Sequence, residues 1–151
     1  MSLEIVPSTL EHIKELALNL RQADRQEALA LGLDPAKATY FAYRSGLWRR
    51  TALIDNQVAA IWGVAGTPMG LIGQPFLITS PVCEAISPVK FARIYKQEVE
   101  VMKQLFPVLE NYVDASYEGA VRMLRIAGFQ LIGPDKVPPF NQYFYKFRMV
   151  S

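Results

Sequence analysis

The sequence predicts a single α+β domain built on a central mixed, mostly antiparallel sheet with helices on both faces. Three observations predict it. Hydrophobic periodicity changes along the chain in the order strand, helices, three strands, helix, strand, helix, two strands. Two of those helices stand between strands, and a helix between strands is a crossover that lets its flanking strands pair in parallel. The 151 residues are 51% hydrophobic and 20% charged, which is ample for one core spanning residues 1–151 and excludes bulk disorder.

The elements follow in order. Leu3 to Val6 is a short strand candidate. Ser8-Thr9-Leu10-Glu11 has the capping-box pattern, with Leu10, Ile13, Leu16, Ala17 and Leu20 at helical spacing behind it. Helical character continues from Arg21 to Leu31, after a break, and stops at Gly32. Asp34-Pro35 starts another helix, a cap followed by proline in the first turn, and Gly46 ends it. Arg50 to Ile54 and Val58 to Val64 flank a tight turn and form a hairpin. Leu71 to Thr79 is the next strand, with Pro75 marking a bulge or edge site.

Ser87-Pro88 opens the most amphipathic helix, whose apolar stripe runs through Phe91, Ile94, Tyr95, Val99, Met102, Leu105 and Phe106 until Pro107 stops it. Asn111 to Gly133 then holds a strand, a helix, a glycine and a further strand. A proline-rich turn from Gly133 to Pro139 leads to the last strand, Gln142 to Met149. Asn111–Asp114 is expected to lie parallel to and near Leu77–Thr79.

Several function classes are excluded or disfavoured at this level. The net charge of +2 makes no electrostatic case for nucleic acid. Asn56 to Cys83 carries no charge and has the length of a membrane span, but Gly63, Gly66, Pro68, Gly70, Gly73 and Pro75 break it into strands and a loop. No signal-peptide pattern opens the chain. One histidine, His12, and one cysteine, Cys83, make neither a disulfide nor a zinc or iron site, so no metal is expected.

This order of elements resembles the GNAT acetyltransferase fold. Ala120, Gly128 and Phe129 match that fold's last helix and the Gly-Phe that follows it. Tyr117 stands at the family's asparagine, and Met123-Leu124 stand at its Leu-Tyr, so the tyrosine proposed as acid for the leaving thiolate is missing. The family's glycine-rich loop, whose amides hold the pyrophosphate of acetyl-CoA, corresponds to "TSPVCEAISPVKF", Thr79 to Phe91. That stretch has no glycine for close approach, and Pro81 and Pro88 remove amide donors. Thr79, Ser80, Ser87 and Lys90 are the residues left there for cofactor binding. The resemblance therefore implies no cofactor, or acetyl-CoA if the protein is active.

A narrower resemblance is to the small GNAT-like proteins of short-tailed podophages and prophages, including internal virion proteins. It rests on "RQADRQEALALGLDPAKA" (Arg21 to Ala38), "FLITS" (Phe76 to Ser80), "ENYVD" (Glu110 to Asp114), "FQLIG" and "QYFYKF" in the same order. It implies a phage or prophage protein, cytoplasmic in a bacterial host or associated with the virion.

Among single residues, Asp24 and Glu27 are the candidate catalytic pair. They lie three apart on one helix, in the segment that covers the acceptor groove of GNAT folds, and either could take a proton from an amine. The plainer account, a solvated face with ion pairs to Arg21 and Arg25, is the one that sequence favours. Cys83 reads as a half-buried loop residue without an activating partner. Trp62, Tyr112 and Tyr117 read as core, with a cleft lining as the other account. Arg49 and Arg50 are adjacent in a strand and face opposite sides.

Three functions are thus open: a non-catalytic GNAT-like protein with a virion or assembly role, an N-acyltransferase using Asp24 or Glu27, and a small-ligand binder without turnover. The first, which the missing glycine loop and tyrosine favour, needs a contact surface. Leu29, Leu31, Leu33, Tyr40, Phe41 and Tyr43 supply the candidate, for another phage protein or a second copy.

Overall fold

The computed structural model describes residues 1–151. In chain order the elements are β1 (Leu3–Pro7), α1 (Leu10–Leu18), α2 (Gln22–Ala30), α3 (Pro35–Ser45), β2 (Gly46–Ile54), β3 (Gln57–Ala65), β4 (Ile72–Thr79), α4 (Pro88–Leu105), β5 (Val108–Asp114), α5 (Glu118–Ala127), β6 (Gln130–Val137) and β7 (Gln142–Val150). A 3₁₀ turn, Pro81–Ala85, precedes α4. The strands form one sheet in the order β1-β2-β3-β4-β5-β7-β6, antiparallel except for β4 against β5. This is the mixed, mostly antiparallel sheet that the sequence predicts.

Helices cover both faces. Phe91, Tyr95, Val99 and Met102 of α4, with Val121 and Leu124 of α5, pack on Trp62 and Val64 of β3 and on Leu109 and Phe147. Ile13 and Leu16 of α1, with Tyr40 and Tyr43 of α3, pack on Val58 and Ile61. β3 is buried on both sides, which is why its sequence is an almost unbroken apolar run. The uncharged stretch is β3, a loop and β4, and no helix is long and apolar enough to cross a membrane.

Local differences from the expected elements have local causes. Thr9, one residue later than Ser8, caps α1: its hydroxyl accepts from His12 N at 3.2 Å, and His12 Nδ1 accepts from Thr9 N at 3.1 Å. His12 therefore takes the place assigned to Glu11, and the Ser8 hydroxyl bonds Thr51 Oγ1 at 2.8 Å. Gly46 caps α3 in extended rather than left-handed geometry, so β2 begins at once. Asp55 and Asn56 both have positive φ, forming the two-residue turn that suits the twist of a hairpin. The expected turn at Gly133–Pro139 is narrower, because β6 continues to Val137 across a register shift between Ile132 and Asp135.

Strand β5 runs parallel to β4 as expected, but Asn111–Asp114 shares no ladder pair with Leu77–Thr79. The β4–β5 ladder consists of Ile72 opposite Val108 and Gly73 opposite Leu109. Pro75 then has no N–H to continue it. Instead the Asn111 side-chain amide donates to Pro75 O at 2.9 Å, and beyond this prop the strands diverge.

Candidate active-site cleft

The divergence opens a cavity of about 1330 Å³ that reaches from α2 and α3 on one face to α4 and α5 on the other. Its walls are mostly apolar, with Leu77 and Ile78 from β4, Val113 from β5, Phe91 and Tyr95 from α4, and Met123 from α5.

Polar groups gather at the wide end, where β4 and β5 finish. Arg21, at the start of α2, donates its backbone N–H to Thr79 O at 2.9 Å. One turn on, Asp24 accepts from Thr79 N at 3.1 Å and also from the Thr79 hydroxyl. Glu27 Oε2 accepts a longer bond, 3.4 Å, from Asp114 N at the end of β5. Asp114 is buried and accepts from Ser116 N at 2.9 Å and Ser116 Oγ at 2.7 Å. Helix α2 thus bridges the two strand ends through two carboxylates spaced one turn apart.

The electrostatics follow from this enclosure. Burial pushes the Asp24 carboxyl up to about 6, against the opposing pull of the Thr79 bonds and the Arg21 charge. Burial pushes Glu27 further, to about 8; the Asp114 amide works against the rise, while the charges of Asp24 and Asp114 add to it. Burial and then the Asp24 charge hold the Tyr117 phenol up at about 12.

The sequence-derived candidates divide clearly. Asp24, Glu27 and Thr79 come together at the cleft, so the account of Asp24 and Glu27 as a solvated face is overturned. Ser80 lies behind the cleft wall. Its hydroxyl donates to Val58 O at 2.7 Å and accepts from Val82 N at 3.3 Å, and so serves the fold. Ser87 caps α4 by accepting from Lys90 N at 3.2 Å, and Lys90 projects from the surface; neither residue lines the cleft. Cys83 is buried at the wall, and burial pushes its thiol up to about 11.

Trp62 is core, edge-on to Phe91 and Tyr95, whereas Tyr112 and Tyr117 line the cleft. Arg49 bonds Tyr43 O at 2.7 Å and Arg50 pairs with Glu98 at 3.8 Å, on opposite sides of β2. Of the apolar candidates, Tyr40 and Tyr43 pack on α1, Leu31, Leu33 and Phe41 line the cleft, and Leu29, Leu33 and Phe41 are 55%, 48% and 67% exposed.

Sequence reasoning missed Asn111, Asp114 and Leu77. Both backbone groups of Thr79 point away from β3, and residues two apart on a strand edge point the same way. Leu77 therefore turns its N–H and C=O into the cleft, beside Pro75, which has no N–H and whose carbonyl Asn111 takes. Pro75 within an apolar strand was the one signal that this edge lacks a continuous partner.

This edge and the apolar walls fit an extended chain bearing a secondary amide, such as the pantetheine arm of an acyl-CoA. The loop before α4 does not fit the diphosphate of that molecule. Its amides at Val82, Cys83, Ile86, Lys90 and Phe91 all bond within the loop and helix start, and Pro81 and Pro88 have none. Glu84 adds a carboxylate, paired with Arg21 at 3.6 Å.

No family model matches the chain, and no curated protein matches it in sequence. Solved structures match its fold over nearly its full length. An acetyltransferase from Salmonella typhimurium that modifies the N-terminal serine of a 50S ribosomal subunit protein is 12% identical, covers 100% of this chain and 96% of its own, and has a TM-score of 0.71. The spermidine N-acetyltransferase of Vibrio cholerae, in complex with CoA and spermine, is 11% identical over 98% and 95%, with a TM-score of 0.70. A GNAT-family acetyltransferase from Streptococcus pneumoniae is 13% identical over 99% of both chains, with a TM-score of 0.68. The chain has the GNAT fold.

Proposed function

We propose that this protein is a GNAT-type N-acyltransferase that moves an acyl group from a thioester to an amine. The observation that carries the reading is the convergence of Asp24 and Glu27 on the opening between β4 and β5. Glu27, with its carboxyl near 8, is divided between acid and carboxylate at neutral to mildly alkaline pH. It can accept a proton from an incoming ammonium group, and the Asp24 carboxylate, fixed by Thr79, orients that group. The Leu77 backbone edge and the apolar walls align the donor chain toward the same point. The three named neighbours are acetyltransferases, and one is held in complex with the polyamine spermine, which supports an amine as acceptor.

The test is acyl transfer from acetyl thioesters to a panel of primary amines, including polyamines and peptide N-termini. Transfer should rise with pH through about 8 and fall by roughly 10²–10⁴-fold in Glu27→Gln. Full activity in that variant would remove the carboxylate reading.

A virion or assembly role draws support from the podophage resemblance and from the exposure of Leu29, Leu33 and Phe41. None of the three named neighbours bears on it. Light scattering of the wild type and of a Leu29→Lys/Phe41→Lys variant tests it: an assembly that the substitutions dissolve supports a contact surface, and a wild type that is strictly monomeric and recruits no partner from assembling virions removes it.

A further inference from the structure

We infer that the donor taken by this cleft is an acylated, amide-bearing arm whose binding draws nothing from a nucleotide diphosphate. This rests on the acyltransferase reading and narrows its donor class.

The β4 edge sets the chemistry of the ligand. Beyond the ladder with β5, Thr79 is occupied by α2 and Pro75 has only a carbonyl, which Asn111 takes. Leu77 is left with one donor and one acceptor facing the cleft, a geometry that receives one secondary amide as a strand edge receives an added strand. A chain of amides and methylenes satisfies both this edge and the apolar walls.

A diphosphate asks for the opposite surroundings: several convergent N–H groups free of other partners, with close backbone approach. Between Ser80 and Phe91 five amides turn inward, and Ser87 and Val89, at the start of α4, do not line the cleft. Val82 and Cys83 donate to Ser80, Ile86 donates to Cys83, and Lys90 and Phe91 donate to Ser87. Two prolines subtract from the set, no glycine permits close approach, and the Glu84 carboxylate stands on the Arg21 side of the loop. Lys90 and Arg93 are exposed on α4, where attraction to a phosphate is weakened by water and salt. The cleft therefore recognises the arm, and the remainder of an acyl-CoA would lie outside it.

Titration calorimetry with S-acetyl-pantetheine and with acetyl-CoA, at low and high salt, tests this. Dissociation constants within about threefold of each other, insensitive to salt, support the inference. Acetyl-CoA binding tighter by about thirtyfold or more overturns it and leaves the acyltransferase reading standing. Binding of neither probe, with no transfer to any amine, overturns both.

A Leu77→Pro variant deletes the cleft-facing N–H without touching the bonds to β3, and should weaken S-acetyl-pantetheine roughly tenfold while Leu77→Val does not. Should the proline variant fail to fold, the Leu77 amide resonance of the wild type reads the same contact: it shifts downfield on adding S-acetyl-pantetheine, and an unmoved resonance at saturation overturns the placement.

Discussion

Asp24 and Thr79, 55 residues apart in sequence, form the joint that ties α2 to the end of β4: one carboxylate oxygen takes both the Thr79 amide, at 3.1 Å, and its hydroxyl. The joint leaves Asp24 on the cleft wall while closing the last backbone position of β4. Asp24→Ala removes the acceptor from a buried threonine and should cost about 1–3 kcal/mol in urea unfolding. A double-mutant cycle with Thr79→Val should return a coupling of roughly 0.5–3 kcal/mol. A coupling indistinguishable from zero would mean that α2 is held by Arg21 and packing alone.

Glu27 makes stability depend on pH in a defined direction. Its native carboxyl is raised from an ordinary 4.5 to about 8, so between those values the native state binds the proton that the unfolded state has released. Stability is then greatest below about 4.5 and declines as pH rises through 8. Glu27→Gln removes the titration. Its advantage over wild type should be near zero in acid and grow to several kcal/mol, at most about 5, by pH 8.5. Urea unfolding at the two pH values checks this, and a constant difference contradicts the buried-carboxyl assignment.

Cys83 should be slow to alkylate. Burial holds its thiol near 11, so little thiolate exists at pH 8. Iodoacetamide should label the native protein far more slowly than the urea-unfolded chain, by roughly 10²-fold or more, given the thiolate fraction and burial together. Equal rates would place the sulfur in open solvent with an ordinary pKa.

Two glycines should respond oppositely to alanine. A Cβ at Gly63 would meet the Trp48 carbonyl oxygen and lie 2.9 Å from the Phe76 ring, and the backbone oxygen cannot step aside without opening the β2–β3 ladder. Gly63→Ala should cost roughly 1–3 kcal/mol or more. At Gly119 on α5 the nearest atom would be in the Tyr117 ring at 3.9 Å. Gly119→Ala should stabilise by about 0.5–1 kcal/mol through helix propensity. Thermal melts of the two variants check both signs.

The element order, the amphipathic stripe of α4 and the prolines of the loop before it could be read from sequence, because each is local. Periodicity reports which face of an element is apolar, and a proline lacks its N–H wherever it stands. The capping of α1 shifted by one residue because Ser8 and Thr9 offer equivalent hydroxyls, and the choice between them depends on Thr51 across the sheet. The roles of Asp24 and Glu27 could not be read locally at all. On α2 they have the spacing of an ordinary solvated pair, and only the meeting of α2 with the ends of β4 and β5 half-buries them and gives them amide partners. Leu77 shows the same limit: its side chain says nothing of its backbone, whose exposure follows from Pro75 ending a ladder and Asn111 propping it open. Sequence by itself determined which segments are strands and helices and what each apolar face must cover. Tertiary structure decided which polar groups lose water, because desolvation depends on what long-range packing brings together.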